Sequence, residues 1–367
     1  MIPFVDISKE FELLKNEITS KINKVLFSSQ FILGEEVATF EGNIAEFLNV
    51  NHTVGVGNGT DALHIALRAA GIKQGDKVIT TPFSFIATTE AILYTGATPV
   101  FVDITPETYN IDTEKIEATI DEQTKAILIV HLFGNPCNMN EILEICKKHN
   151  LILIEDCAQS FGTKYKDKFV GTFGEAGCFS FYPSKNLGAY GDGGMVITNN
   201  AKMYKNFLLY RNHGLDPNGE HTLIGFNSRL DSIQAAILNV KIEYISQFLE
   251  KRRKLAYLYM NYLSDVEEII IPKEEENSYH TYNVLTFRVK KRDELQDFLT
   301  KNGISSGIYY KLPIPDQPAM KFLNVNKDQY FIASNIANQV LSLPLYPNLT
   351  EDSVKNIVNK IKEFYAK

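Results

Sequence analysis

The chain predicts an α/β protein: a large domain built on a mostly parallel seven-stranded sheet between helices, and a smaller C-terminal α/β domain. From Thr53 to Thr198, short apolar runs alternate with helical patterns, the arrangement that gives a parallel sheet covered on both faces. Leu151-Ile152-Leu153-Ile154 is an uninterrupted apolar run ending in Glu155-Asp156, as expected of a buried strand with carboxylates at its carboxyl tip. Arg229 to about Leu263 reads as one long helical stretch, with Ile233, Ala236, Ile237, Val240, Ile245, Phe248 and Leu249 as its apolar positions. Such a helix leads out of the sheet domain, and 367 residues suit two domains sharing a cleft, divided as 1–245 and 246–367.

At the amino terminus, Met1 to Asp6 is a short extended start. Residues 8–28 form an amphipathic helix with Phe11, Leu14, Ile18, Ile22, Val25 and Leu26 on one side, and Gly34 interrupts the chain beyond it. A second helix from Glu36 carries Val37, Phe40, Ile44 and Phe47. Strands are expected at 53–56, 77–80, 98–102, 126–130, 151–155, 177–181 and 194–198, with helices at 60–70, 85–94, 113–119 and 139–149. In the second domain the strands are 268–271 and 283–289, and the helices 293–301, 330–341 and 350–366. Asn302-Gly303 closes the first of these helices as a C-cap.

Composition narrows the function. With 44% hydrophobic and 22% charged residues the chain is an ordinary globular one, and its net charge of −7 argues against nonspecific nucleic-acid binding. An anionic substrate would need local basic residues. Cys137, Cys146, Cys157 and Cys178 show neither C-x-x-C pairing nor metal spacing, and the histidines form no H-x-x-x-H array, so no metal is expected. There is no signal peptide and no apolar run of membrane-spanning length, so the expected setting is cytoplasmic and reducing.

Four stretches carry the chemistry. Cys178 to Tyr182 reads as a short strand stopped by Pro183, and Lys185 sits in the turn beyond it, before the glycine-rich run Gly188 to Gly194. A desolvated lysine amine forms Schiff bases with carbonyl compounds near neutral pH, although a lone Lys-Asn pair is more often a surface turn. Asp156, at a strand tip, is a candidate partner for a pyridinium nitrogen, or else a cap or turn acid. Gly55-Val56-Gly57-Asn58-Gly59-Thr60 joins a strand to a helix, and Gly59 and Thr60 lie where free N–H groups favour a phosphate. Its G-x-G-x-G spacing is neither a dinucleotide fingerprint nor a P-loop. Thr81-Pro82-Phe83-Ser84-Phe85-Ile86-Ala87-Thr88 brings aromatics to the same sheet edge, for cofactor stacking or for the core.

Taken with Glu155-Asp156-Cys157-Ala158-Gln159-Ser160, Ser180-Phe181-Tyr182-Pro183-Ser184-Lys185-Asn186 and Gly225-Phe226-Asn227-Ser228-Arg229-Leu230-Asp231, these stretches resemble the DegT/DnrJ/EryC1/StrS sugar aminotransferases. Those are fold type I pyridoxal 5'-phosphate enzymes that aminate nucleotide-linked keto sugars. The resemblance implies Lys185 as Schiff-base and proton-shuttling lysine, with pyridoxamine phosphate as the aminated cofactor between half-reactions. It implies Asp156 at the pyridine nitrogen, Gln159 at the ring hydroxyl, Phe85 rather than Phe83 stacked on the ring, and Gly59, Thr60 and Ser180 at the phosphate. It also implies that Asn227 reaches the phosphate of the neighbouring subunit's cofactor, hence a homodimer with shared active sites. Asn227 and Ser228 also precede a long helix, so an N-cap role stays open for them.

Arg229, Arg211 and Lys311 are candidates for the substrate diphosphate, and Tyr182, His213 and Tyr310 for the sugar pocket. The resemblance is greatest to members acting at C3. It implies a thymidine-diphosphate 3-keto-6-deoxyhexose as acceptor and glutamate as donor, with Ser228 leaving room for the C3 pose. Amination at C4 is the alternative. A pyridoxamine-dependent dehydratase would carry histidine in place of Lys185, and a non-catalytic regulator on the same fold would dispense with Lys185 or Asp156. One departure stands out: Pro315 occupies the position of a histidine in the family's C-terminal Tyr-Pro-x-Pro-Leu-His pattern.

Overall fold

The computed structural model describes residues 1–366. Helices α1 (Ser8–Ser28) and α2 (Glu35–Leu48) precede the sheet. Then come β1 (His52–Val56), α3 (Gly59–Ala69), β2 (Lys77–Thr80), α4 (Ala87–Tyr94), β3 (Thr98–Phe101), β4 (Thr124–Val130), α5 (Met139–His149) and β5 (Ile152–Asp156). A small hairpin, β6 (Lys164–Tyr165) and β7 (Lys168–Phe169), leads to β8 (Ala176–Ser180), β9 (Gly194–Thr198) and α6 (Ala201–Arg211). The chain continues through α7 (Ser232–Leu263), β10 (Ile269–Ile270), β11 (Ser278–Tyr279), β12 (Leu285–Val289) and α8 (Arg292–Lys301). It ends with α9 (Phe331–Ala337), β13 (Val340–Leu343) and α10 (Glu351–Tyr365).

The seven-stranded sheet has the order β1-β9-β8-β5-β4-β2-β3. Pairing is parallel from β8 through β3, and β9 alone runs the other way, antiparallel to both β8 and β1. The carboxyl ends of β1, β2, β4, β5 and β8 therefore share one edge, where open α/β sheets place ligands. Successive residues face opposite layers. Phe179 packs with Val37, Phe40 and Leu238 of α2 and α7, whereas its neighbour Cys178 packs with Leu63 and Phe207 of α3 and α6. Both faces are covered, which explains why these strands read as continuous apolar runs.

A second core gathers Leu285, Phe287, Leu295, Leu341 and Val354 around a three-stranded sheet ordered β10-β12-β13. Along α7, Leu249 belongs to the first core and Leu255 to the second. Two excursions stitch the halves together. Ile2 forms a bridge with Ile304 and packs against the second core, while β11 pairs with β6 of the sheet domain's hairpin.

The predicted strands of the large sheet and the α1, α3, α5 and α8 helices match within about two residues. Gly303, just past α8, adopts φ +73°, the left-handed conformation a helix stop of this kind requires. Other expectations are corrected. Residues 113–119 form two 3-10 turns, not an α-helix. The helix predicted at 330–341 ends at Ala337, and Val340–Leu343 is a strand. Four residues are too few for a readable period, and pairing with β12 decides it: the buried Thr286 and Ser342 hydroxyls meet across the strands at 2.8 Å. The long helix starts at Ser232 rather than Arg229, because Leu230 and Asp231 are still extended toward the Ile32 bridge. Helix α6, capped by the Asn200 side chain, and the β6–β7 hairpin had no counterpart in the sequence reading.

Candidate active site

Asp156 ends β5, buried at the shared edge. Its Oδ1 accepts the Ala158 N–H at 3.1 Å and its Oδ2 the Thr88 hydroxyl at 2.8 Å. Ser84 Oγ lies 3.0 Å from Thr88 Oγ1. The single Thr88 hydroxyl hydrogen serves Asp156, so Ser84 donates to Thr88. Burial pushes the Asp156 carboxyl up, opposed by those two donors and by the charges of Lys185 and His131. One strand over, β8 ends at Ser180, and the turn after it places Lys185 in the same cleft. The Lys185 N–H donates to Tyr182 O at 2.8 Å, closing the turn. Burial lowers the Lys185 ammonium to about 8, against the opposing pull of Asp156. Among the described residues its Nζ has no hydrogen-bond or ion-pair partner. A desolvated lysine with a lowered pKa beside a buried acid is poised for carbonyl chemistry.

Asn58 caps α3, its side chain accepting the Asp61 N–H at 2.8 Å. The N–H groups of Gly59 and Thr60 are thus left without a helical partner. Gly59 abuts Ser180 so closely that a Cβ would come within 2.7 Å of Ser180 Cβ. The Asp61 carboxylate beside this anion cup is occupied elsewhere, with Oδ2 accepting from Ser228 Oγ at 2.6 Å and Asn58 Nδ2 at 3.1 Å.

Gln159 accepts the Phe133 N–H at 2.8 Å and donates to the Tyr310 hydroxyl at 2.7 Å, leaving its second amide hydrogen free. Burial raises the Tyr310 phenol, so it stays neutral. Tyr310 also meets Phe83 edge-on at 6.0 Å, and Phe83 is fully buried, whereas Phe85 is 58% exposed. Phe83 is core, and Phe85 is the aromatic available for stacking. The segment beyond Tyr310 is strapped to this loop by Ile314 N–H donating to Pro82 O at 2.7 Å. Pro315 is buried within that strap, and Lys311 is exposed at its start. Tyr182, 55% exposed, lies near Tyr309.

The other predicted residues form a second group on residues 212–229. Asn212 and Asn227 form an antiparallel bridge, Arg229 Nη1 donates to Asn212 Oδ1 at 3.1 Å, and the His213 N–H donates to Phe226 O at 2.8 Å. His213 and Asn227 are exposed, as is Ile224. Among the described residues, no hydrogen bond joins His213, Asn227 or Arg229 to Lys185, Asp156 or Gln159. Two expectations change here. Arg211 is a structural ion pair, donating to Glu41 at 2.5 Å and to Gly55 O at 3.2 Å, and so is not free for a diphosphate. Ser228 is 1% exposed and bonded to Asp61 and to the Gly57 N–H, so it braces the 57–61 loop and leaves no open space for a sugar. Neither Asn227 nor Ser228 caps α7, whose N-cap is Asp231.

Sequence reasoning passed over Thr88 and Ser84, two hydroxyls within the stretch beside a strand end. His131, Glu155 and Cys157 lie close together and buried, but the ligand atoms of His131 and Glu155 are committed. His131 Nδ1 accepts the Cys137 N–H, Nε2 lies 3.1 Å from Glu155, and Glu155 accepts the N–H groups of Gly171, Phe173 and Gly174. A cavity of about 870 Å³ at the opposite edge of the sheet, between Lys73, Cys146 and Asn200, holds none of the predicted site residues.

Residues 12–362 match the DegT/DnrJ/EryC1/StrS aminotransferase family. A pleiotropic regulatory protein of Geobacillus stearothermophilus is 46% identical over 99% of this chain and 98% of its own length. UDP-N-acetyl-3-dehydro-alpha-D-glucosamine 3-aminotransferase of Acidithiobacillus ferrooxidans is 42% identical over 98% of this chain and 97% of its own. dTDP-3-amino-3,6-dideoxy-alpha-D-galactopyranose transaminase of Aneurinibacillus thermoaerophilus is 39% identical over 99% of each. The crystal structure of S. venezuelae DesV in complex with a ketimine intermediate superposes with a TM-score of 0.97 at 34% identity, over 100% of this chain and 99% of that one. The chain belongs to the DegT/DnrJ/EryC1/StrS family and is a pyridoxal-phosphate-dependent sugar aminotransferase.

Proposed function

We propose that this aminotransferase moves an amino group from an amino-acid donor, glutamate, to C3 of a 3-keto-6-deoxyhexose carried on thymidine diphosphate. The observation that carries the catalytic part is the Lys185 amine, unpaired and lowered to about 8, in one cleft with the buried Asp156 carboxylate. The residues present fit pyridoxal phosphate. Gly59 and Thr60 N–H groups with the Ser180 hydroxyl suit its phosphate, Asp156 its ring nitrogen, the free Gln159 amide hydrogen its ring hydroxyl, and the exposed Phe85 its face. When bound, that cofactor would supply the electron sink for proton loss at the donor carbon and proton gain at the acceptor carbon. Asp156 supplies negative charge at the ring nitrogen, held by Thr88 and the Ala158 N–H. Lys185 would hold the cofactor through its amine and, when free, would carry a proton to or from the substrate carbon. Asn227, Arg229 and His213 reach the site of a second copy, in a homodimer with shared sites, where Arg229 faces the diphosphate and Tyr182, His213 and Tyr310 the sugar. The two lobes of the cleft are taken as residues 1–245 and 246–367. Four buried, unpaired cysteines suit a reducing cytoplasm. No helix among the described residues is long and apolar enough to cross a membrane.

Amination at C3 is supported by the relatives named for that position. Their carriers differ, one UDP and one dTDP, so a UDP-linked 2-acetamido-3-keto sugar is the second reading. The relative named as regulatory does not carry over as function here, because this chain keeps both Lys185 and Asp156 in the cleft. Matched 3-keto and 4-keto sugars on dTDP and UDP, each offered with glutamate, test the assignment, with the new nitrogen located by NMR. The expected product is the dTDP 3-amino sugar. Preferred amination at C4, or of the UDP sugar, replaces the substrate assignment and leaves the family unchanged.

A further inference from the structure

Lys241 lies in the middle of α7 and is only 2% exposed. A buried ammonium must satisfy its charge and its three donors. Lys241 does so with a carboxylate from α1, Glu10, with the Gly188 carbonyl, and with the face of Tyr190, 5.2 Å from its Nζ. Arg252 is the other cation near Glu10. Gly188 and Tyr190 belong to the turn that presents Lys185. That turn doubles back on itself: Ala189 N–H donates to Phe181 O at 2.7 Å, and a Cβ on Gly188 would come within 2.4 Å of Pro183 O. Nearly two α7 turns upstream, Gln234 Oε1 accepts the Tyr190 N–H at 2.9 Å. From the other side, Asn283 Nδ2 approaches Asn186 Oδ1 at 3.3 Å. Side chains from outside the turn thus grip it at residues 186, 188 and 190, and Lys241 is the only one of the three that bears a charge.

We propose that Lys241 is a positioning residue: bound to Glu10 and to the Gly188 carbonyl, it clamps the 183–191 turn so that the Lys185 amine stays in the desolvated cleft. This rests on the reading of Lys185 as the reactive amine. Glu10, on the amino-terminal helix α1, offsets the buried charge of Lys241, and α1 contributes none of the predicted site residues. With the clamp released, the turn relaxes toward water and the Lys185 amine returns toward the ordinary lysine value of about 10.4. The charged and titratable groups around that amine, Asp156 on β5 with His131 and Tyr310 beyond it, are unaltered by a change at Lys241.

The test uses the full-length chain freed of cofactor. The pH midpoint of Lys185 reaction with trinitrobenzenesulfonate is read by peptide mass spectrometry in wild type, Glu10→Gln, and the double variant Glu10→Gln/Lys241→Met. The double variant removes both charges of the pair and leaves buried Arg252 with its bond to the Leu345 carbonyl, and Glu10→Gln keeps the Lys241 tie to Gly188. The expected midpoint is about 8 in wild type and in Glu10→Gln. In the double variant it rises by one unit or more, a fivefold or greater loss of neutral amine at pH 8, by about tenfold per unit. A folded double variant with an unmoved midpoint overturns the clamp. So does a Glu10→Gln protein shifted as far as the double variant, since charge alone then explains the effect. A second measurement needs no variant: in wild type, the Gly188 and Ala189 amides should exchange with deuterium more slowly than those of the exposed 216–222 loop, and equal rates overturn the proposal. Turnover of keto sugar by a Lys185→Ala protein would instead remove the reading of Lys185, whatever the clamp experiment gives.

Discussion

Two regions carry the predicted site residues, and they differ in how much of their geometry is settled within one chain. At the sheet edge, Asp156, Thr88, Gln159 and Tyr310 are buried or half-buried and hydrogen-bonded to one another or to nearby backbone, with Lys185 facing them. On residues 212–229, His213 and Asn227 stand exposed, and among the described residues the Arg229 side chain is hydrogen-bonded only to its loop neighbour Asn212. Buried polar groups must find partners, so the first region is determined by its own fold. Exposed ones need not, so the second becomes specific only when something docks on it. The proposed shared active site would give both regions a use.

The largest expected effect breaks the first region alone. Lys185→Ala should lower turnover by about 10³-fold or more, the scale of losing a positioned proton-transfer group, and should abolish the visible absorbance of lysine-bound cofactor. Asp156→Asn should keep cofactor bound and slow both half-reactions by about 10- to 100-fold, the range for a hydrogen-bonded charge. Unchanged rates in either variant would make that residue merely structural.

The second region is tested by moving it to another chain. Lys185→Ala and Asn227→Ala proteins are mixed under conditions that exchange subunits. If Asn227 serves the partner's site, each mixed dimer has one doubly defective and one intact site. Random exchange makes half the dimers mixed, so activity should recover to about a quarter of wild type. Verified exchange with no recovery would place Asn227 in its own subunit's site and remove the contrast between the regions.

The same contrast explains what was legible in the sequence. Strands buried on both faces read as apolar runs, and Asp156 and Lys185 are found directly from where such runs stop. The anion cup was legible because Gly59 has a steric reason to be glycine: Ser180 occupies the space of a side chain. Arg211 and Ser228 misled, because a free-standing arginine looks like a diphosphate ligand and a small serine looks like room for a sugar, and only the fold shows Glu41 and Asp61 claiming them. Lys241 was invisible for the opposite reason. A lysine near the apolar positions Ile237, Val240 and Ile245 reads as a solvated face, and its partner Glu10 lies more than two hundred residues away. Val340–Leu343 was misread because only pairing with β12, not period, separates strand from helix over four residues.

The smallest effect concerns stability rather than rate. In the cofactor-free protein, burial holds the Lys185 ammonium at about 8, below its unfolded value of about 10.4. Its folded-state pKa is depressed, so the charged form is penalised on folding. Below pH 8 both states are protonated and the penalty is constant. Between about 8 and 10.4 the unfolded chain holds a proton that the folded chain has lost, so this group makes stability rise with pH across that window. Lys185→Met removes the titration. At pH 7 the cofactor-free variant should be more stable than wild type by on the order of 2 kcal/mol, the full shift being discounted because Lys185 keeps some exposure to the cleft. The advantage should shrink toward pH 10. Asn227→Ala, on the exposed region, should stay within about 0.5 kcal/mol of wild type at every pH. Urea unfolding at pH 7, 8.5 and 10 reads all three proteins. A Lys185→Met protein equal to wild type at pH 7 would mean that the lysine is solvated in the empty cleft, and the two regions would then differ in geometry but not in stored energy.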